Sequence, residues 1–377
     1  MTVVTDGYDT AMLPRGLRSN FRDGVNGLRI HYLEAGFEVP DRPLLMLLHG
    51  FPELAYSWRK VMPSLAAAGY HVVAPDMRGY GRTTGWPQGY DVDLRGFGML
   101  NIARDVIGLI FALGHNRAAG LIGHDFGAPA AAWAALVRQD LFGKLVLMSA
   151  PFGGAPVPPE ARAGSEPGLL QINAELNRLD PPRNHYQCYY STLGANANMS
   201  GCPQGLHAFL RAYYHVKSAD WKGNRPHRLD CWTAAELAKL PRYYVMDAGV
   251  GMAETALPEA PGVTCAWLPD RELAVYAAEY QRTGFQGALN WYRCSVDGVD
   301  SAALELFGRK QITIPSLFLS GAADWGTYQR PHFLEKMQTD VCIDMRGVHL
   351  LEGAGHWVQQ ERPEDTVRHI LDFMASA

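Results

Sequence analysis

The sequence predicts an α/β fold: a mostly parallel sheet flanked by helices, with a large helical segment inserted late in the chain. Three observations carry that expectation. Apolar runs such as Leu44–Leu48 and His71–Pro75 alternate with helical patterns, and parallel strands need crossover connections of that kind. These runs end in polar, Gly-bearing loops, the place where open α/β sheets gather their functional groups. From about Leu169 to Phe307 the alternation is absent, and it resumes at Ile314–Ser320. Residues 1–152 and 311–377 are therefore expected to form one core domain, with 153–310 a mainly helical cap inserted into it.

Each element has a local reason. Residues 1–24 are polar and read as a loose arm, and Leu28–Ala35 alternates like an exposed strand. Leu44–Leu48 is continuously apolar, as a buried parallel strand is, and runs into His49-Gly50-Phe51-Pro52. Trp58 to Ala68 has helical spacing closed by Gly69. His71–Pro75 leads into the polar loop Asp76-Met77-Arg78-Gly79-Tyr80-Gly81-Arg82-Thr83, and an amphipathic helix is expected over about Leu94–Leu113. The strand Ala119–Ile122 then meets the turn Gly123-His124-Asp125-Phe126-Gly127 and an Ala-rich helix. Further strands are expected at Lys144–Ser149, Ser316–Ser320 and Val348–Leu351, with a closing helix from Pro363 to Met374.

Composition narrows the function classes. The chain has 377 residues, 47% hydrophobic and 19% charged, which suits a globular protein with a sizeable core. A net charge of −4 without a basic block gives no footing for nucleic acid or an anionic membrane. No run is long and apolar enough to span a bilayer. Met1 to Arg18 has neither the basic nor the apolar region of a secretory signal. The six cysteines lack Cys-x-x-Cys spacing and read as free thiols in a reducing cytoplasm. His185, His207 and His215 have no partners at ligand spacing, so no metal is expected.

The chemistry gathers at three loops. Asp125 stands at the apex of a strand-to-helix turn, with Gly123 and Gly127 two residues to either side. A carboxylate there needs no base; it attacks carbon directly and leaves an ester that water must cleave. Asp324 follows Ser316–Ser320 through Gly321-Ala322-Ala323, and His356 follows Val348–Leu351. His356 can take a proton from water, and Asp324 can fix its tautomer and stabilise the imidazolium. The backbone N–H groups of Phe51 and Phe126 are expected to form the oxyanion hole. His49, Pro52, Trp291 and Trp357 are expected around the substrate pocket, His49 chiefly as a loop-positioning residue, and His124 has a structural role. Taken singly, Asp125 also fits a residue near a helix N-cap, Asp324 a turn residue, and His356 a packed histidine. Their joint occurrence, each after a strand, singles out a catalytic set.

In that order, nucleophile then acid then histidine, the residues resemble the α/β-hydrolases, and the likeness runs over nearly the whole chain. Within that group the chain is similar to the soluble epoxide hydrolases. His49-Gly50-Phe51-Pro52-Glu53 with Tyr56-Ser57-Trp58 resembles their oxyanion loop, and Asp76–Gly81 their next loop. Arg282-Thr283-Gly284-Phe285-Gln286-Gly287-Ala288-Leu289-Asn290-Trp291-Tyr292-Arg293 resembles the segment carrying a cap tyrosine that hydrogen-bonds the epoxide oxygen. The resemblance implies that role for Tyr292. It implies a second tyrosine in His185-Tyr186-Gln187-Cys188-Tyr189-Tyr190, taken as Tyr186, with Tyr189 or Tyr190 as alternatives. Ten of the seventeen tyrosines fall in 153–310, so Tyr243, Tyr244, Tyr276 and Tyr280 are assigned to packing.

The implied activity is hydrolysis of an apolar or aryl epoxide to a vicinal diol, without cofactor, with a homodimer left open. Phe126 departs from the family, which usually has Trp there. In haloalkane dehalogenases that indole helps to bind halide, so the haloalkane or haloacid dehalogenase alternative lacks a ligand. A non-catalytic ligand-binding member of the fold would need none of the three triad groups.

Overall fold

The computed structural model describes residues 7–157, 167–262 and 265–376; residues 1–6 and 158–166, part of the expected arm and of the Gly/Pro/Ala-rich stretch, lie outside them. The continuous apolar runs become the middle of one sheet. Its strands are β1 (Leu17–Val25), β2 (Leu28–Ala35), β3 (Leu44–Leu48), β4 (His71–Pro75), β5 (Ala118–His124) and β6 (Phe142–Met148). After β7 (Arg183–His185) and β8 (Val245–Asp247), which pair only with each other, it is completed by β9 (Ser316–Gly321) and β10 (Met345–Leu351). The eight-stranded order is β1-β2-β4-β3-β5-β6-β9-β10. Only the β1–β2 and β2–β4 pairs are antiparallel; the rest run parallel. Every residue of β3 and of β9 is buried.

Four local expectations are corrected. Residues 17–24 are not a loose arm: they form β1, which pairs with β2 from Leu17↔Ala35 to Val25↔Leu28. β2 is not an exposed strand, because β1 and β4 flank it and all its residues but Arg29 are buried. The helix expected from Trp58 is a 3-10 turn over Ala55–Trp58 followed by a helix over Met62–Ala67. Pro63 lies in the first turn of that helix, where its missing N–H costs nothing. The helix expected from Leu94 starts at Met99, after a turn capped by Asp93, because Gly98 is extended. Asp300, far along the chain, accepts the Met99 N–H at 2.8 Å and fixes the true start.

Helices over Leu169–Leu176, Leu206–Val216, Asp270–Thr283 and Gln286–Val296 lie in the segment between β6 and β9. The last of these docks on the core backbone to backbone. A Cβ on Gly287 would lie 2.2 Å from the Gly79 oxygen, and one on Gly79 would lie 2.5 Å from the Gly287 oxygen. Trp291 locks the same contact, its indole N–H donating to the Arg78 carbonyl at 2.8 Å. Gly287→Val is therefore expected to push this helix, and Tyr292 with it, away from the core. A drop in catalytic turnover together with a lower melting temperature checks this; a wild-type value for both would contradict it.

Candidate active site

Three loops at the carboxyl ends of β5, β9 and β10 meet at one point. Asp125 follows β5 directly and has φ +51°, a left-handed conformation that few non-glycine residues adopt. The residues two positions to either side are glycines because the space is already taken. A Cβ on Gly123 would lie 2.1 Å from the Gly127 oxygen, and one on Gly127 would lie 2.3 Å from the Leu48 oxygen. Gly123→Ala is expected to cost roughly 3 kcal/mol or more, or to prevent folding, since backbone would have to move. Chemical denaturation measures it.

The Asp125 carboxylate is held from both sides. Oδ1 accepts the Phe51 N–H at 2.8 Å, and Oδ2 lies 3.2 Å from His356 Nε2. On the far side of the ring, His356 Nδ1 lies 3.0 Å from Asp324 Oδ1. That oxygen also accepts the Gly326 N–H at 2.7 Å, and Ser320 donates to Asp324 Oδ2 at 3.0 Å. The three predicted groups thus stand in a row, with His356 buried between two carboxylates. Phe51 places its N–H on the nucleophile. Gly50 is obligatory for that approach, because a Cβ on it would lie 2.6 Å from the Phe126 nitrogen.

Charges in this row are set by the balance of burial and neighbours. Burial pushes the Asp125 carboxyl up, but the His356 hydrogen bond and charge, with Lys217 and His124 behind them, hold it well below the usual carboxylate range. Asp324 is held down in the same way, by the His356 charge and hydrogen bond against burial. For His356, burial lowers the pKa while Asp324 raises it; Lys217 lowers it and Asp125 raises it, and the net result is about 9. The resting row is Asp125 carboxylate, His356 imidazolium, Asp324 carboxylate.

Tyr292 and Tyr186 lie together above the nucleophile loops. The Tyr292 ring is 4.8 Å from Phe126, 5.6 Å from Phe51 and 6.0 Å from Tyr186, measured between centroids. Burial, and next the Asp125 charge, push both phenols up, so both stay protonated at neutral pH. Strand β7 positions Tyr186, whose N–H donates to the Tyr244 carbonyl at 2.9 Å. Its hydroxyl donates to Gln329 Oε1 at 3.1 Å and accepts from Gln187 Nε2 at 3.1 Å. Tyr189 is engaged elsewhere, donating to Asn198 Oδ1 at 2.6 Å, whereas Tyr190 donates to the Tyr213 hydroxyl at 3.1 Å and its ring lies 4.9 Å from Tyr292 and 5.0 Å from Phe51.

The residues expected around the pocket divide. Trp291 lines a cleft of about 480 Å³ together with Phe126, Trp133, Phe152, Gln187 and Gln329, but none of Asp125, His356, Tyr186 and Tyr292 lines it. His49 does not line that cleft. Its Nδ1 bonds the Gly50 carbonyl at 2.9 Å and its Nε2 accepts the Met77 N–H at 3.0 Å, which fixes the loop. The Pro52 carbonyl accepts from the Tyr214 hydroxyl at 3.3 Å, and the Trp357 indole donates to the Tyr214 carbonyl at 2.8 Å. His124 accounts for a further pair: Nδ1 lies 2.7 Å from Glu53 Oε2, and Nε2 is 2.7 Å from the His356 carbonyl. Among the described residues no group of three His, Cys, Asp or Glu side chains could hold a metal ion, and the six cysteines are free.

A family model described as the alpha/beta hydrolase fold matches residues 43–363. The chain belongs to the α/β-hydrolase fold family. Among α/β-hydrolases it is 34% identical to epoxide hydrolase A of Mycobacterium tuberculosis over 357 residues, 93% of this chain and 95% of that one. An epoxide hydrolase from an endophytic Streptomyces superposes with a TM-score of 0.76 at 31% identity, covering 96% of both chains. Epoxide hydrolase A from Mycobacterium thermoresistibile gives 0.74 at 33% identity, covering 95% of this chain and 98% of that one.

Sequence reasoning missed several groups of this α/β-hydrolase site. Glu53 is fully buried, accepts from Gln359 and Gln360, and stays ionised because the nearby His124 outweighs its burial. The signal was present, since a glutamate after His-Gly-Phe-Pro in an apolar setting needs a partner. Gln187 adjoins a predicted tyrosine and could have been found. Gln329 and Lys217 carry no local signal, because only the folded chain brings them to the site.

Proposed function

We propose that this α/β-hydrolase opens epoxides to vicinal diols through an ester on Asp125, with residues 153–310 serving as a cap over the core. The observation that carries it is a carboxylate nucleophile in line with His356 and Asp324, with the buried Tyr292 ring packed on Phe51 and Phe126 and Tyr186 packed on Tyr292. Asp125 attacks one epoxide carbon; its C–O bond forms as the ring C–O bond breaks. The alkoxide takes a proton from Tyr292 or Tyr186, which supports the leaving oxygen of a poor leaving group. Tyr186 trades its bond to Gln329 for the epoxide oxygen. The proton on His356 then restores the phenol.

Esterification removes one of the two carboxylate charges that keep His356 protonated, so its pKa falls and it becomes a base. It takes a proton from water, hydroxide adds to the ester carbonyl, and the backbone N–H of Phe51, with that of Phe126, holds the oxyanion. Collapse expels the ester oxygen as an alkoxide, which takes the proton from the His356 imidazolium and leaves as the diol; the Asp125 carboxylic acid then gives its proton to the neutral His356 and the resting row is regenerated. The rings of Phe51, Phe126 and Tyr190 packed around Tyr292 support an apolar or aryl substrate. Dehalogenation is less well supported, since the Trp291 and Trp357 indoles already donate to main-chain carbonyls.

The sign of the pH dependence follows. Because Asp125 is held below the usual carboxylate range, the first step needs no deprotonation across the mildly acidic range. Ester formation in single turnover is expected to be flat from about pH 5 to 8, whereas ester hydrolysis, which needs neutral His356, declines on the acid side. Turnover of a panel of aryl and alkyl epoxides, with diol detected by chromatography, tests the function. No diol from any of them would remove the proposal.

A further inference from the structure

Lys217 carries no assigned role, yet it is one of the most buried charges in the molecule, 3% exposed. It follows the helix Leu206–Val216 in the segment between β6 and β9. Among the described residues no carboxylate is ion-paired with its ammonium. Nζ instead faces four rings, 4.7 Å from the centroid of Tyr244, 5.3 Å from Tyr213, 5.7 Å from Tyr243 and 5.8 Å from Trp357. An unpaired buried ammonium is costly. The ring faces offset part of that cost, but a Met side chain would fill the same cage without it.

The cage abuts the catalytic row. The Trp357 ring lies 4.7 Å from the His356 ring, Tyr213 packs on Phe51 at 6.2 Å, and Tyr244 packs on Tyr186 at 5.1 Å. The Lys217 carbonyl accepts the His356 N–H at 2.8 Å. We propose that the caged Lys217 ammonium is a positioning residue of the hydrolytic step: a fixed cation that keeps His356 free to accept a proton from water once Asp125 is esterified. This rests on the Asp125 ester route proposed above.

The groups around His356 explain why a cation is wanted. Asp324 faces Nδ1 and Asp125 faces Nε2. The His124 ring lies 5.0 Å away with Glu53 behind it. Glu361 accepts the N–H groups of Gly355 and Trp357 on either side. Esterification neutralises Asp125 alone, and Asp324 and Glu53 still favour a protonated imidazole. Lys217 opposes them, and its charge is felt at Asp125, Asp324 and Glu53 as well as at His356.

The test separates the two half-reactions. Ester formation and ester decay are followed by rapid-quench mass spectrometry across pH in wild-type protein, Lys217→Met, Lys217→Gln and Lys217→Arg, with circular dichroism to establish folding. In the neutral variants the acid limb of ester decay is expected to move up by about one pH unit. Decay below the limb then slows about tenfold, while ester formation changes little, and Lys217→Arg keeps the limb in place. An unmoved limb in either folded neutral variant would overturn the inference, as would equal losses in both half-reactions. A wild-type protein that forms no ester would instead remove the reaction on which it rests.

Discussion

Replacing His356 with Gln is expected to yield a protein that reacts once and stops. Asp125 remains ionised, because the Phe51 N–H still holds Oδ1 and the Lys217 charge remains. The epoxide is therefore still opened, but no base is left to activate water for the second step. Turnover should fall by about 10⁴-fold or more, and intact-protein mass should rise by the mass of one substrate molecule. The adduct should map to the peptide containing Asp125. Asp125→Asn in the same background should abolish it. An unmodified His356→Gln protein under saturating epoxide would contradict the two-step route.

Tyr292→Phe is expected to show the opposite split. Removing one phenol donor deprives the opening epoxide oxygen of its proton, so ester formation should slow by about 10²-fold. Hydrolysis of ester already formed should be nearly unchanged. Tyr186→Phe should act in the same direction, and the double variant should lose most of the remaining rate. Tyr189→Phe is the control, since that hydroxyl already donates to Asn198. A rapid-mixing measurement of both half-reactions distinguishes these cases. Equal loss from Tyr189→Phe and Tyr186→Phe would show that the tyrosine was wrongly chosen.

These expectations rest on residues of very different legibility. The core sheet was readable because fully buried parallel strands leave continuous apolar runs, as at Leu44–Leu48. Asp125, Asp324 and His356 were readable because each sits in a loop just after such a run. β1 was not: its residues are mostly polar, so nothing in Leu17–Val25 announces a strand until its partner β2 is in place. The helix start at Met99 depends on Asp300, 201 residues away along the chain. Lys217 could not be read at all, since its cage joins Tyr213, Tyr243, Tyr244 and Trp357 from separate parts of the chain. Periodicity reports which face of an element is buried; it does not report which distant side chains meet there.

The ester on Asp125 is the claim on which the rest depends, and a single turnover in ¹⁸O-water tests it most directly. With enzyme in excess over epoxide, the oxygen added to the diol comes from the Asp125 carboxylate, so the first-turnover diol should be unlabelled. The label should appear in the Asp125 peptide after digestion. Diol that carries ¹⁸O on that first turnover, with an unlabelled Asp125 peptide, would mean that water attacks the epoxide directly and that no ester forms.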